Sequence, residues 1–245
     1  MKCLVLAAGY ATRLYPLTEN YPKPLLKVGD KTILNWLLDD ITQTRMVDDI
    51  ILVSNHKFAD TFKRWAKRLE YPVTVLDDGT ETNETRLGAV KDISFAINTL
   101  GIDDDLLVIA GDNLNDFSFK EFICYANEKG TSCIMRYFEP DISKLRKAGV
   151  IRIDDDDRIL HMVEKPEAPE SNWCTPPYYV YRRDDLKLVD VGIRSGCGTD
   201  APGSFIAWLS TVVPVHAYLM PGNRYDVGDL ESYKEVQETF KGIQY

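Results

Sequence analysis

Arg13 and Lys23 follow a glycine turn that ends a short apolar run. The chain reads Leu6-Ala7-Ala8-Gly9-Tyr10-Ala11-Thr12-Arg13-Leu14 and then Tyr21-Pro22-Lys23-Pro24-Leu25-Leu26. A guanidinium and an ammonium fixed beside a turn suit phosphate oxygens. Gly9 lets a ligand approach the backbone closely, and Pro22 and Pro24 stiffen the chain on both sides of Lys23. This is the layout of a nucleoside triphosphate site, yet neither G-x-G-x-x-G nor a closing G-K-[ST] is present. Dinucleotide oxidoreductases and P-loop enzymes therefore fall in rank.

Three further segments carry groups that can act on phosphates. Asp112, in Ala110-Gly111-Asp112-Asn113, ends an apolar run where a carboxylate can reach a metal bound to phosphates; Asp226 lies in Tyr225-Asp226-Val227-Gly228; and Glu164-Lys165-Pro166 closes a third run. Taken singly, each has an ordinary structural reading: a turn after a strand, a helix entry with Asp229 as N-cap, and an exposed ion pair.

Together these segments resemble the sugar-1-phosphate nucleotidylyltransferases, whose first signature is L-A-A-G-x-G-T-R-L-x-P-L-T followed by P-K-P-L-L. The family's G-D, E-K-P and W/Y-x-D-x-G motifs match at Asp112, at Glu164 to Pro166 and at Asp226, so the resemblance spans nearly the whole chain. It implies an α/β, three-layer Rossmann-like nucleotidyltransferase fold, a mostly parallel sheet flanked by helices with a small β-rich sugar-binding subdomain. It also implies an enzyme that condenses an NTP with a sugar 1-phosphate to give an NDP-sugar and pyrophosphate. The nucleotide is expected on Leu6, Ala7, Ala8, Gly9, Tyr10, Ala11, Thr12, Arg13, Lys23, Asn83, Arg86, Gly88 and Asp112, and the sugar phosphate on Glu164, Lys165 and Tyr179. Mg2+ is expected on Asp112 and Asp226, since magnesium takes one or two carboxylates and completes its shell with phosphates and water. Arg13, Lys23, Asp112 and Lys165 would then oppose the repulsion between two polyanions, which is electrostatic catalysis with positioning.

The chain departs from the family pattern in three places. Ala11 stands where a second glycine is usual, which constrains the turn. The segment Gly79-Thr80-Glu81-Thr82-Asn83-Glu84-Thr85-Arg86-Leu87-Gly88-Ala89, where base selection is expected, keeps Gly88 but inserts Asn83, Glu84 and Arg86. Arg86 can serve a base or phosphate, or pair with Glu84 or Asp92. Pro177, before Tyr178-Tyr179-Val180-Tyr181, replaces a glycine that precedes the sugar-contacting strand, which argues against naming glucose. Two other readings stand beside the first: a cytidylyltransferase for a non-sugar phosphate such as phosphocholine or a phosphonate, and a catalytically silent nucleotide-sugar-binding regulatory protein.

The elements that must position these groups follow from periodicity. Strands are expected at 2 to 8, 50 to 54, 72 to 76, 105 to 110 and 132 to 137, alternating with helices near 32 to 46, 57 to 70, 84 to 100 and 118 to 129. Such alternation implies right-handed βαβ units, with ligands beyond the carboxyl ends of the strands. Residues 149 to 153 and 159 to 166 read as two strands joined by four aspartates in a solvated turn. A last helix runs to about Phe240. One nucleotidyltransferase domain is expected over 1 to 245, with a nucleotide-binding core over 1 to 140, a sugar-binding or lid subdomain over 141 to 224, and the second metal ligand with the C-terminal helix over 225 to 245. No hexapeptide repeat is visible.

Composition sets outer limits. The chain has 245 residues, an apolar fraction of 44% and a net charge of -9 at pH 7, enough for a real core and unsuited to nucleic acid or an anionic membrane surface. Its 5 cysteines show no C-x-x-C pair, and its 3 histidines lack metal-ligand spacing. No run is long enough for a signal peptide or membrane span, so a cytoplasmic enzyme is expected. A homo-oligomer is compatible with these features, although no motif encodes it.

Overall fold

The structure is a computed structural model that describes residues 1–244. Its contacts divide the chain into two compact units: Met1–Arg86 with Ala110–Lys120 and the residues from Pro221 on, and Leu87–Ile109 with Glu121–Met220. The chain thus leaves the first unit twice and returns to it twice. Those returns bring Asp112 and Asp226 into the unit that holds Arg13 and Lys23.

The first unit contains a parallel sheet. Strand Lys2–Leu6 pairs with Asp49–Ser54, Leu4 opposite Ile51, and Asp49–Ser54 pairs with Val73–Asp77, Leu52 opposite Val75. Continuous apolar runs such as Cys3-Leu4-Val5, fully buried, are what a strand covered on both faces requires. Helix Ile33–Thr44 turns Ile33, Leu34, Leu37, Leu38 and Ile41 inward at helical spacing, and Thr32 caps it by accepting the Asn35 N–H at 3.1 Å. Asn55 caps helix His56–Ala66 in the same way. A short antiparallel pair, Asn113–Asn115 with Arg224–Asp226, belongs to this unit, and helix Leu230–Thr239 opens on an Asp229–Ser232 capping box.

The second unit is a mixed sheet. Its strands run in the order Ile159–Glu164, Gly149–Ile153, Trp173–Thr175, Ser132–Phe138, Tyr178–Tyr181, Leu106–Ala110, and Val215–Leu219 also pairs with Ser132–Phe138. All these pairings are antiparallel except that last one. The α/β fold is as expected, with its parallel pairing concentrated in the first unit. The aspartates at 154 to 157 form the hairpin turn: Asp154 accepts the N–H groups of Asp156 and Arg158, and Lys129 pairs with Asp156 at 2.7 Å. Among the described residues no helix is long and apolar enough to cross a membrane.

Candidate functional site

A buried apolar cluster fixes the charged residues of the first unit. It joins Leu14, Leu26, Leu114 and Val227 to Val236 and Phe240 of the C-terminal segment, with Ala11 and Tyr225 packed against it. Leu14 follows Arg13, Leu114 lies just beyond Asp112, and Tyr225 and Val227 flank Asp226. Each charged side chain is therefore carried by backbone whose neighbours are anchored in one core.

Leu6, Ala7, Gly9, Ala11, Arg13, Lys23, Asp112 and Gly228 together line a cavity of about 120 Å³. Lys23 is almost wholly buried and donates to Asp112 Oδ2 at 2.8 Å, while Asn113 Nδ2 donates to the other oxygen at 2.7 Å. Burial alone would raise the Asp112 carboxyl, but the Lys23 ammonium, with Arg224 and a backbone N–H, more than offsets it and holds the group below its usual range. The network continues from Asn113 Oδ1 to the Arg224 guanidinium, which stands 3.9 Å from Asp226 Oδ2.

Asp226 pairs across the short sheet with Asn113, the residue after Asp112. Paired Cα atoms in such a ladder stand about 4.5–5.5 Å apart, so two aspartates far apart in sequence become neighbours. A Cβ at Gly228 would lie 3.8 Å from Asp226 Oδ2 and 4.0 Å from Arg13 Nη2, which places both charged groups around one glycine. The side chains of Asp112 and Asp226 remain 40% and 56% exposed, so both hard carboxylates are accessible to a cation. This donor set suits magnesium completed by phosphates and water.

The glycine missing at position 11 has a structural consequence. Ala11 adopts φ 48 and ψ 43, the left-handed conformation that glycine enters without penalty. Its carbonyl accepts the Leu14 N–H at 3.0 Å and the Thr18 hydroxyl at 2.8 Å, and these bonds hold the turn in that shape.

Several residues expected at the nucleotide do not line the cavity. The carbonyl of Ala8 accepts Asn55 Nδ2 at 3.0 Å, and buried Tyr10 donates its hydroxyl to the Thr80 carbonyl at 3.0 Å. Arg86 donates to the carbonyl and side-chain oxygen of Asn83. Gly88 belongs to the second unit, at φ 91, where a Cβ would lie 2.5 Å from the Thr199 carbonyl oxygen. Its glycine is set by backbone packing.

The acceptor residues lie in the second unit. Gly149 pairs with both Glu164 and Thr175, and a Cβ there would lie 2.6 Å from Glu164 Oε2 and 2.5 Å from Thr175 Oγ1. A Cβ at Gly203 would lie 2.5 Å from the same Oε2. Two glycines thus make room for one carboxylate. Oε2 is buried and accepts no hydrogen bond among the described residues, and burial, only partly countered by Lys165, raises the Glu164 carboxyl above its ordinary value. Lys165 is exposed, adopts φ 51 and donates its N–H to the Ala148 carbonyl at 3.0 Å. Tyr179 is buried and stacks on Tyr181 with ring centroids 5.8 Å apart, a packing position. Sequence reading did not single out Asn113, Arg224, Gly149 or Gly203. Gly149, at the start of the run that pairs with the E-K-P strand, was the one with a visible signal.

The family model described as "Nucleotidyl transferase" matches residues 2–241. Among curated relatives, the glucose-1-phosphate adenylyltransferase of Fervidobacterium nodosum is 26% identical over 247 residues, covering 95% of this chain and 59% of that protein. The bifunctional protein GlmU of Methanocaldococcus jannaschii is 29% identical over 193 residues, covering 78% of this chain and 42% of that protein. The chain thus spans roughly half the length of these relatives. Among solved structures, UDP-glucose pyrophosphorylase in complex with UDP-glucose superposes with a TM-score of 0.82 at 20% identity, covering 98% of this chain and 97% of that one. UDP-glucose pyrophosphorylase from Acinetobacter baumanii gives 0.77 at 19% identity, covering 96% and 91%. At these identities the likeness is one of fold.

Proposed function

Because the chain belongs to the nucleotidyl transferase family, we propose that it transfers a nucleotidyl group from an NTP to a sugar 1-phosphate and releases pyrophosphate. The observation that carries this reading is the convergence of Arg13, Lys23 and Asp112 on one cavity beside the Gly9 turn. The name of the Fervidobacterium relative supports a sugar 1-phosphate as acceptor. An oxygen of the acceptor phosphate attacks the α-phosphorus in line as the bond to the β-phosphate oxygen breaks. A phosphate monoester has its second pKa near ~6, so the attacking oxygen is ionised at neutral pH and needs no protein base.

Arg13 neutralises the departing pyrophosphate and Lys23 the triphosphate, groups that otherwise repel the incoming anion. Asp112 and Asp226 would hold magnesium, which supplies further neutralisation at the phosphates when bound. Lys165 takes the acceptor phosphate. Glu164 accepts an acceptor hydroxyl, which gives its buried Oε2 the donor that no described residue provides. That unmet oxygen favours a polyhydroxylated acceptor over phosphocholine, whose quaternary ammonium has no hydrogen to donate.

Pyrophosphate release should be measured with magnesium, screening five NTPs against hexose 1-phosphates and phosphocholine, with Asp112→Asn as control. Turnover of a sugar phosphate that the control lacks is the expected result. Turnover of phosphocholine alone would overturn the acceptor assignment. NTP binding without any turnover would favour a silent sensor.

A further inference from the structure

Tyr10 occupies the variable position of the first turn, yet it is 5% exposed and its hydroxyl is committed to a carbonyl far along the chain. That carbonyl, of Thr80, also accepts the His56 N–H at 2.9 Å. Asp78 Oδ1 takes both the N–H and the hydroxyl of Thr80, each at 2.7 Å, and the Asp78 N–H bonds the Ser54 carbonyl at 2.9 Å. Asn55 closes the set by donating to the Ala8 carbonyl. The connections after three consecutive parallel strands, Lys2–Leu6, Asp49–Ser54 and Val73–Asp77, are therefore stitched into one edge.

Ligands of open parallel sheets lie beyond that carboxyl edge. With Arg13 and Lys23 holding the phosphates at the first connection, the nucleoside has the other two connections of this edge to lie against. We infer that Tyr10 is a positioning residue for nucleoside selection: its hydroxyl fixes the Asp78–Thr80 connection relative to the phosphate turn, and so sets which base is accepted. The inference rests on the proposed nucleotide site.

It fits the constraint at Ala11. A turn held in the left-handed region at Ala11 keeps one shape only if its neighbours are fixed, and Tyr10 on one side and Thr18 on the other supply that fixation. Removing the tyrosine hydroxyl leaves the Thr80 carbonyl with its His56 partner. Tyr10→Phe should therefore fold, while the connection gains freedom.

The test is calorimetric binding of five NTPs to wild type, Tyr10→Phe, Asp78→Ala and the double variant, which reads selection without requiring turnover. Loss of one neutral hydrogen bond predicts that the ratio of Kd values between the best and next-best NTP narrows about fivefold in Tyr10→Phe, and Asp78→Ala, which removes two bonds to a carboxylate, should narrow it at least as much. The double variant should narrow little further, because both changes release the same connection. Equal weakening of every NTP, or an unchanged ratio, would overturn the inference and leave Tyr10 a packing residue. Failure of the wild type to bind any NTP would instead remove the nucleotide site itself, and the inference with it.

Discussion

The two candidate sites, one in each unit, solve the burial of charge in opposite ways. In the first unit the charged groups around Asp112 are interlinked: Lys23 and Asn113 on Asp112, and Arg224 on Asn113 and beside Asp226. In the second, Glu164 keeps a buried oxygen without a donor among the described residues, and two glycines leave the room that this oxygen fills. A site internally neutralised tolerates the ligand-free state and changes partners when polyanion and cation arrive. A site with an unmet acceptor is less favourable until a ligand supplies a donor, and so converts the ligand's hydroxyl into selectivity. On the proposed reading, the first-unit site serves charge and the second-unit site serves hydroxyl pattern.

Breaking the first half should cost most. Asp112→Asn should lower kcat about 10³-fold, the scale seen when one electrostatic group is removed from a reacting centre. It also leaves buried Lys23 facing an amide, a stability loss of about 1–2 kcal/mol, less than for a fully buried pair because the Asp112 carboxylate reaches solvent. Pyrophosphate release and a denaturant titration check the two effects. Because Asp112 is held below its ordinary value, its contribution is present at neutral pH and lost as pH falls through that lowered pKa. The stability gap between wild type and variant should close on acidification. A gap that persists at low pH would remove the ion pair as its cause.

The second half should respond in the opposite sense. Glu164→Gln is expected to raise the acceptor KM about 10- to 100-fold, the equivalent of a charged hydrogen bond worth ~1.5–3 kcal/mol, with the NTP KM unchanged. Burial raises the Glu164 pKa, so ionised Glu164 opposes folding. The Tm of Glu164→Gln should exceed wild type above that raised pKa, and the difference should shrink as pH falls through it and vanish below the ordinary carboxyl range. Wild-type acceptor KM should rise over the same fall in pH, because a protonated carboxyl no longer accepts as an anion. A variant that is both weaker in binding and lower in Tm at alkaline pH would show that the carboxylate serves the fold.

Gly203→Ala sharpens the same point with a smaller effect. The added methyl meets side-chain atoms, the carboxylate of Glu164 and Met162 Cε, so these shift and the backbone need not. The expectation is a rise in acceptor KM of about 3- to 10-fold, as for a displaced hydrogen bond, with Tm nearly unchanged. A large fall in Tm with unaltered KM would mean that Gly203 is required by packing alone.

What was legible in the sequence follows from the range of the interactions. Strand Lys2–Leu6, helix Ile33–Thr44 and the hairpin around the four aspartates are set by local periodicity and turn chemistry, and the sequence reading placed all three. The helix expected from 84 begins only at Ala89, because Gly88, at φ 91, ends the loop before it. The apolar segment 204 to 219 is a helix, Gly203–Leu209, and a strand, Val215–Leu219, which composition alone does not separate. The pairing of Asp226 with Asn113 depends on the register of two strands far apart in sequence. Tyr179 is legible as a strand residue, but that its strand is covered on both faces depends on the rest of the sheet. Motifs identified the chemistry of Asp112, whereas its bond to Lys23 required the fold.

The finest contrast between the halves lies in two non-glycine residues held at positive φ, Ala11 at 48 and Lys165 at 51. Both stand in or beside a proposed phosphate contact. Ala11 is held through its carbonyl by two donors, whereas Lys165 is held through its own N–H on Ala148. A glycine at position 11 removes the Cβ strain, about 1–2 kcal/mol, but gives the unfolded chain more freedom, about 0.5–1 kcal/mol. Ala11→Gly should therefore gain at most about 1.5 kcal/mol, read as a small rise in Tm. If the alanine serves to keep the turn in its phosphate-binding shape, the same variant should bind NTP more weakly by about two- to threefold, despite being more stable, since freedom regained in the free protein must be lost on binding. Tighter binding in Ala11→Gly would mean that the two hydrogen bonds on the carbonyl fix the turn unaided and that the methyl group only strains it.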